Sequence, residues 1–127
     1  MNVNYKLALT LLAGVALGAV AIQSLHAQAT PPIYVVTEIA EITDPEGFKA
    51  VTQRPEPARA AQQAGGRYII RTDKITALDG TPPNRMIVIA FDSLEKAQAY
   101  ENSQVQKGVN ASRTKLTKSR SFVVQGL

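Results

Sequence analysis

Arg85-Met86-Ile87-Val88-Ile89-Ala90-Phe91 is the most apolar segment of the chain outside its N-terminus. Three successive β-branched residues closed by Phe suit a pleated strand. Near-continuous apolarity places that strand centrally, in a sheet whose two faces are both at least partly covered. Upstream, Asp79-Gly80 with Pro82-Pro83 makes a turn. Arg67–Thr72 (RYIIRT) before it reads as a second strand, able to resume at 74–78 after a bulge at Asp73.

Gly65-Gly66 stops the preceding helical stretch by supplying a left-handed cap position. That stretch starts at Thr43-Asp44-Pro45-Glu46, where Asp44 caps free N–H groups and Pro45 fits the first turn. Phe48, Val51, Ala58 and Ala61 recur at roughly helical spacing, and Pro55 and Pro57 predict a kink or break near Arg54. Residues 33–40 (IYVVTEIA) read as the first strand. Downstream of Phe91, Ser93 caps a helix with Leu94, Ala97 and Tyr100 inward. Ser103 caps a further helical segment with Val105, Val109 and Leu116 inward, and residues 120–124 form a last strand.

The order is βαββαβ. In one domain this predicts an α+β, ferredoxin-like antiparallel sheet with its helices on one face. If Val35, Ile39, Ile87 and Ile89 face the helices, then Tyr34, Val36, Met86 and Val88 face away. An apolar second face needs a cover, and a second copy of the chain is the simplest one. A homodimer joined sheet to sheet is expected.

The N-terminus carries an address. A polar start with one cation, Lys6, precedes an uncharged run at 7–22, and small residues follow at Ala27 and Ala29. These are the three parts of a secretory signal peptide. The run of 16 residues is shorter than the roughly 20 of a spanning helix, although an uncleaved anchor is the alternative. We expect a signal at 1–27 cleaved after Ala27 or Ala29, a linker at 28–32 and one domain at 33–127. The mature protein is then periplasmic or secreted, with no stable membrane span.

Cleavage changes the chemistry available. His26 is the only His in the chain, so the mature domain has no His, Cys or Trp. Ser–His–Asp and Cys–His catalysis, zinc sites of the usual ligand sets, disulfides and His- or Cys-ligated haem are excluded. No metal and no cofactor is expected. The mature chain has 13 basic and 10 acidic residues, with Lys107, Arg113, Lys115, Lys118 and Arg120 following the last acid, Glu101. This run reads either as a surface for an anionic ligand or as a solvated helix face whose cations suit the helix dipole. Export and the lack of interleaved aromatics argue against nucleic acid.

A set of motifs occurs in one order: Asp44-Pro45-Glu46-Gly47-Phe48, Gly65-Gly66-Arg67-Tyr68, Pro83-Asn84-Arg85, Phe91-Asp92-Ser93-Leu94-Glu95, and Asn102-Ser103 with Arg113 ten residues on. Over residues 33–126 this resembles the bacterial domain-of-unknown-function family 1330, of the dimeric α+β barrel superfamily. The resemblance implies a ferredoxin-like fold and a sheet-to-sheet dimer, and brings no established activity. The chain departs from the family pattern at Ala90 and Gln106, where Glu and Tyr are usual. It departs also at Gln125, which replaces a Glu before Gly126, and in lacking a Trp near the Pro-rich turn.

The candidate ligand-binding residues are Tyr34, Glu38, Arg67, Tyr68, Arg85 and Arg113. Glu38 shares the second face with Tyr34 and Val36, and a carboxylate buried between subunits seeks a cation, with Arg67, Arg71 and Arg85 available. Two function classes follow. One is a small-ligand or partner-binding homodimer using the dimer cleft. The other, implied by the superfamily, is a cofactor-independent enzyme of the small monooxygenase or isomerase kind.

Overall fold

The computed structural model describes residues 30–127, so the expected signal at 1–27 lies outside the described residues. The β-branched stretch after Pro32 forms β1 (Ile33–Ile42). The chain then turns into α1 (Pro45–Thr52), where the Asp44 carboxylate accepts from the Gly47 N–H at 3.0 Å and Pro45 occupies the first turn. The prolines do more than kink the helix. Pro55 has no N–H to continue the ladder, and a separate α2 (Glu56–Gln63) follows. Gly65, at φ +82°, ends α2; its N–H and that of Gly66 donate back to Gln62 and Ala61 carbonyls at 3.0 and 2.7 Å, a Schellman closure.

The remaining elements are β2 (Arg67–Thr72), β3 (Arg85–Phe91), α3 (Leu94–Glu101), α4 (Gln104–Leu116) and β4 (Thr117–Gln125). Ser93 and Ser103 cap α3 and α4 by accepting from the Lys96 and Gln106 N–H groups, each at 3.2 Å. The four strands form one antiparallel sheet in the order β2-β3-β1-β4, the ferredoxin-like arrangement.

Register decides which side chains meet. Val35 lies opposite Ile89, Thr37 opposite Ile87 and Ile39 opposite Arg85, and these share the face beneath the helices. The core sits there. Val35, Ile89 and Phe91 pack against Ala61 of α2 and Ala97 and Tyr100 of α3, with Phe91 and Tyr100 ring centroids 5.4 Å apart. Tyr34, Val36 and Glu38, opposite Ala90, Val88 and Met86, lie on the outer face.

Some sequence expectations are corrected. Residues 74–78 form no strand, because the β2–β3 ladder ends at Thr72 opposite Met86. The last strand begins at Thr117 rather than 120, since β4 follows β1 out to Ile42. Leu94 and Val105, expected inward, are 48% and 39% exposed in the first turns of their helices; Gln106 is the residue α4 buries. A register shift between Tyr68 and Ile70 bulges β2. Tyr68 opposite Ile89 and Arg71 opposite Ile87 therefore share the helix face, although strict alternation would separate residues three apart.

Candidate functional site

Between the sheet and helices α1, α2 and α4 lies a cavity of about 100 Å³. A single water needs roughly 10–15 Å³ by this measure, so there is room for several waters or the body of a small organic molecule. Val35, Ile39, Ile87 and Ile89 form its floor, and Phe48 and Val109 are among the apolar side chains of its roof. Into this apolar space project a few polar groups, the composition of a small-molecule site.

One wall is a connected chain of side chains. The buried Tyr100 hydroxyl donates to Gln106 Oε1 at 2.8 Å, Gln106 Nε2 donates to Asn110 Oδ1 at 3.1 Å, and Asn110 Nδ2 donates to Glu101 Oε2 at 3.0 Å. The wiring fixes the amide orientations: Gln106 must turn its oxygen to Tyr100 because its nitrogen serves Asn110. Burial, reinforced by neighbouring Tyr68 and Glu101, pushes the Tyr100 phenol far above its ordinary pKa. It is a neutral donor, not a phenolate.

The opposite character comes from arginine. Arg54, Arg71, Arg85 and Arg113 line the cavity against a single carboxylate, Glu101. Arg71 is anchored: its Nη2 donates to the Thr52 carbonyl at 3.3 Å and its guanidinium lies 5.7 Å from the Tyr68 ring centroid. Arg85 lies 5.9 Å from the Phe48 ring centroid. Arg113 Nη1 donates to Thr37 Oγ1 at 3.4 Å, and Thr37 is itself hydrogen-bonded to Ser121. Burial holds the Arg113 guanidinium below its usual pKa, against the raising influence of Glu101. The Nε atoms of Arg85 and Arg113 are buried with no hydrogen-bond partner, and neither residue forms a salt bridge among the described residues.

Of the six sequence candidates, Tyr68, Arg85 and Arg113 line this cavity together. Tyr34 and Glu38 lie on the outer face, and so does Arg67, which pairs with Ala90. Glu38 finds its cation in Arg120, directly across from it on β4, and not in Arg67, Arg71 or Arg85. The basic run after Glu101 divides likewise. Arg113 turns inward, whereas Lys118 pairs with Glu41 at 2.8 Å on the exposed strand. Gln106 and Asn110 were missed as site residues. With Arg113 they recur at i, i+4 and i+7, a polar stripe on the buried side of α4 that helical spacing marks.

Fold and cavity together define a ferredoxin-like α+β domain with a cavity between its sheet and helices. Residues 32–127 match the model of the family described as Domain of unknown function (DUF1330), and the chain belongs to that family. Among solved structures it is similar to a protein of unknown function from Rhodopseudomonas palustris, with 13% identity and a TM-score of 0.59 over 84% of this chain and 92% of that one. It is similar also to SnoaB, a cofactor-independent oxygenase from Streptomyces nogalater, with 10% identity and a TM-score of 0.54 over 76% and 94%. A Bacillus halodurans protein of the ethyl tert-butyl ether (ethd) family shows 12% identity and a TM-score of 0.57 over 76% and 99%. At these identities the likeness establishes the fold alone. No curated protein matches the chain.

Proposed function

We propose that this protein is an exported, sheet-to-sheet homodimer in which each subunit binds one small organic ligand between its own sheet and helices. The observation that carries the reading is the cavity: apolar floor and roof, polar groups from three directions, and a wall held in one orientation by hydrogen bonds. The site moves accordingly from the dimer cleft to the helix face. The outer face is left to the partner subunit. There Phe122 and Val124, each 40% exposed, lie in register with Val36 and Tyr34 and continue one apolar stripe across β1 and β4.

Binding is preferred to catalysis because the wall is committed. Glu101 accepts from Asn110, and Tyr100 is held neutral, keeping its proton and donating to Gln106 Oε1. Tyr100, protonated and already donating, is not available as a general base. The test is a thermal-shift screen of the purified protein against small anionic, neutral and cationic organic compounds. Val109→Phe, which fills the cavity from the roof, is screened in parallel. Compounds that raise the midpoint of the wild type and not of the variant support the site. A wild type that responds to none at millimolar concentration, or a variant that responds equally, overturns it.

A further inference from the structure

We infer that the ligand of this cavity is a small carboxylate with an apolar body, its carboxylate received by Arg113 and Arg85. This rests on the cavity being a binding site, and specifies its chemistry. Four arginines face one carboxylate there, and that carboxylate is already hydrogen-bonded to Asn110. An arginine withdrawn from water without an acceptor is costly, and proteins ordinarily pair it. Here two guanidinium groups on different elements, β3 and α4, each keep a buried Nε with no partner.

The atoms that remain free have a definite geometry. Arg113 spends Nη1 on Thr37, which leaves the edge formed by Nε and Nη2. Two parallel N–H groups on one edge of a planar guanidinium match the two oxygens of a carboxylate. Arg85, whose Nε is likewise unpartnered, lines the same cavity, with its guanidinium steadied near the Phe48 ring. The neutral Tyr100 hydroxyl and the apolar floor favour an uncharged remainder for the ligand.

Calorimetric titration of the purified protein with hexanoate and benzoate, against hexanamide and benzamide, tests the assignment. These pairs share shape and differ in charge. We expect the carboxylates to bind about five- to tenfold more tightly than the amides, since charged hydrogen bonds are stronger than neutral ones. Arg113→Met should weaken carboxylate binding by about thirtyfold or more. Arg113→Lys should recover only part of that loss, because an ammonium has the charge without the fork. A second readout separates this from a merely structural role. Without ligand, Arg113→Met should unfold at the same or higher urea concentration than wild type, because an unpaired buried cation is replaced by an apolar side chain. Amides binding as well as carboxylates, or unchanged carboxylate affinity in Arg113→Met, would overturn the assignment and leave the cavity reading standing. If neither carboxylates nor amides bind, and the broader screen is silent too, both readings fall together.

Discussion

Replacing Gln106 by Leu interrupts the polar wall of the cavity at one atom pair. Tyr100 is 2% exposed and Gln106 6%, and their 2.8 Å separation is that of a well-formed hydrogen bond. Gln106→Leu strands the Tyr100 hydroxyl and takes the donor from Asn110 Oδ1, at a cost of about 1–3 kcal/mol. Tyr100→Phe removes the hydroxyl but strands Gln106 Oε1, for a similar penalty of about 1–3 kcal/mol. The double variant strands neither partner of that bond. Its cost should fall short of the sum of the singles by about 1–2 kcal/mol, the coupling expected of directly bonded neighbours. The assay is urea unfolding followed by far-ultraviolet circular dichroism, with midpoints compared at a common slope. All variants are measured at one protein concentration, because the stability of the proposed dimer would move with it. Additivity within about 0.5 kcal/mol would mean that hydroxyl and amide do not depend on each other, and the wired wall would be refuted.

Three further predictions follow from other parts of the fold. Tyr100 keeps its proton in the folded state to a higher pH than in the unfolded chain. Its contribution is therefore complete below about pH 10 and is lost above it at up to about 1.4 kcal/mol per pH unit. Wild type should lose stability between pH 10 and 11 more steeply than Tyr100→Phe, and parallel curves would contradict this. A Cβ at Gly66 would lie 2.8 Å from Phe91 Cε1 and 2.9 Å from the Ala61 carbonyl oxygen, which is backbone and also receives the Gly66 N–H. Gly66→Ala should accordingly destabilise by about 1–3 kcal/mol, and an unchanged urea midpoint would show that the close approach is not confining. Phe122→Glu puts a charge on the apolar stripe beside Val36, so light scattering at micromolar concentration should fall from two subunits to one. A wild type that is already monomeric, or a variant that stays dimeric, would sink the sheet-to-sheet interface.

The fold was legible because its punctuation is local. Asp44, Ser93, Ser103, Pro55 and Gly65 each act within a few residues, and each does in the structure what its side chain or backbone favours. The site was legible only in part, and for nameable reasons. The parity of β3 alone puts Arg85 on the face of Ile87 and Ile89, so its separation from Glu38 could have been read from alternation. Arg71 could not be placed so, because the irregularity after Tyr68 inverts the parity of β2 and no residue type announces it. The Glu38–Arg120 pair depends on the β1–β4 register, a contact between residues 82 apart in sequence. Gln106 looked like surface because Gln usually is. Its burial depends on the Tyr100 hydroxyl, which is a property of two helices and not of either one.

The two faces of the sheet thus divide the charge of the domain unequally, and the division bears on why the cavity exists. On the outer side and the edge, Arg120 and Lys118 are paired with Glu38 and Glu41. Beneath the helices, Arg85 and Arg113 are less exposed and yet less satisfied. If the domain were arranged for stability alone, the ordering would be reversed, because pairing matters most where water is scarcest. A chain with no Cys cannot offset the cost with a disulfide, and a domain of this size has a margin of only about 5–15 kcal/mol. If the proposed carboxylate site is right, the unpartnered Nε atoms of Arg85 and Arg113 belong to a site finished by a group that the chain does not supply. Occupancy should then stabilise the fold in proportion to RT ln(1 + [L]/Kd), so that the free protein is the less stable state and the carboxylate-bound one the complete structure.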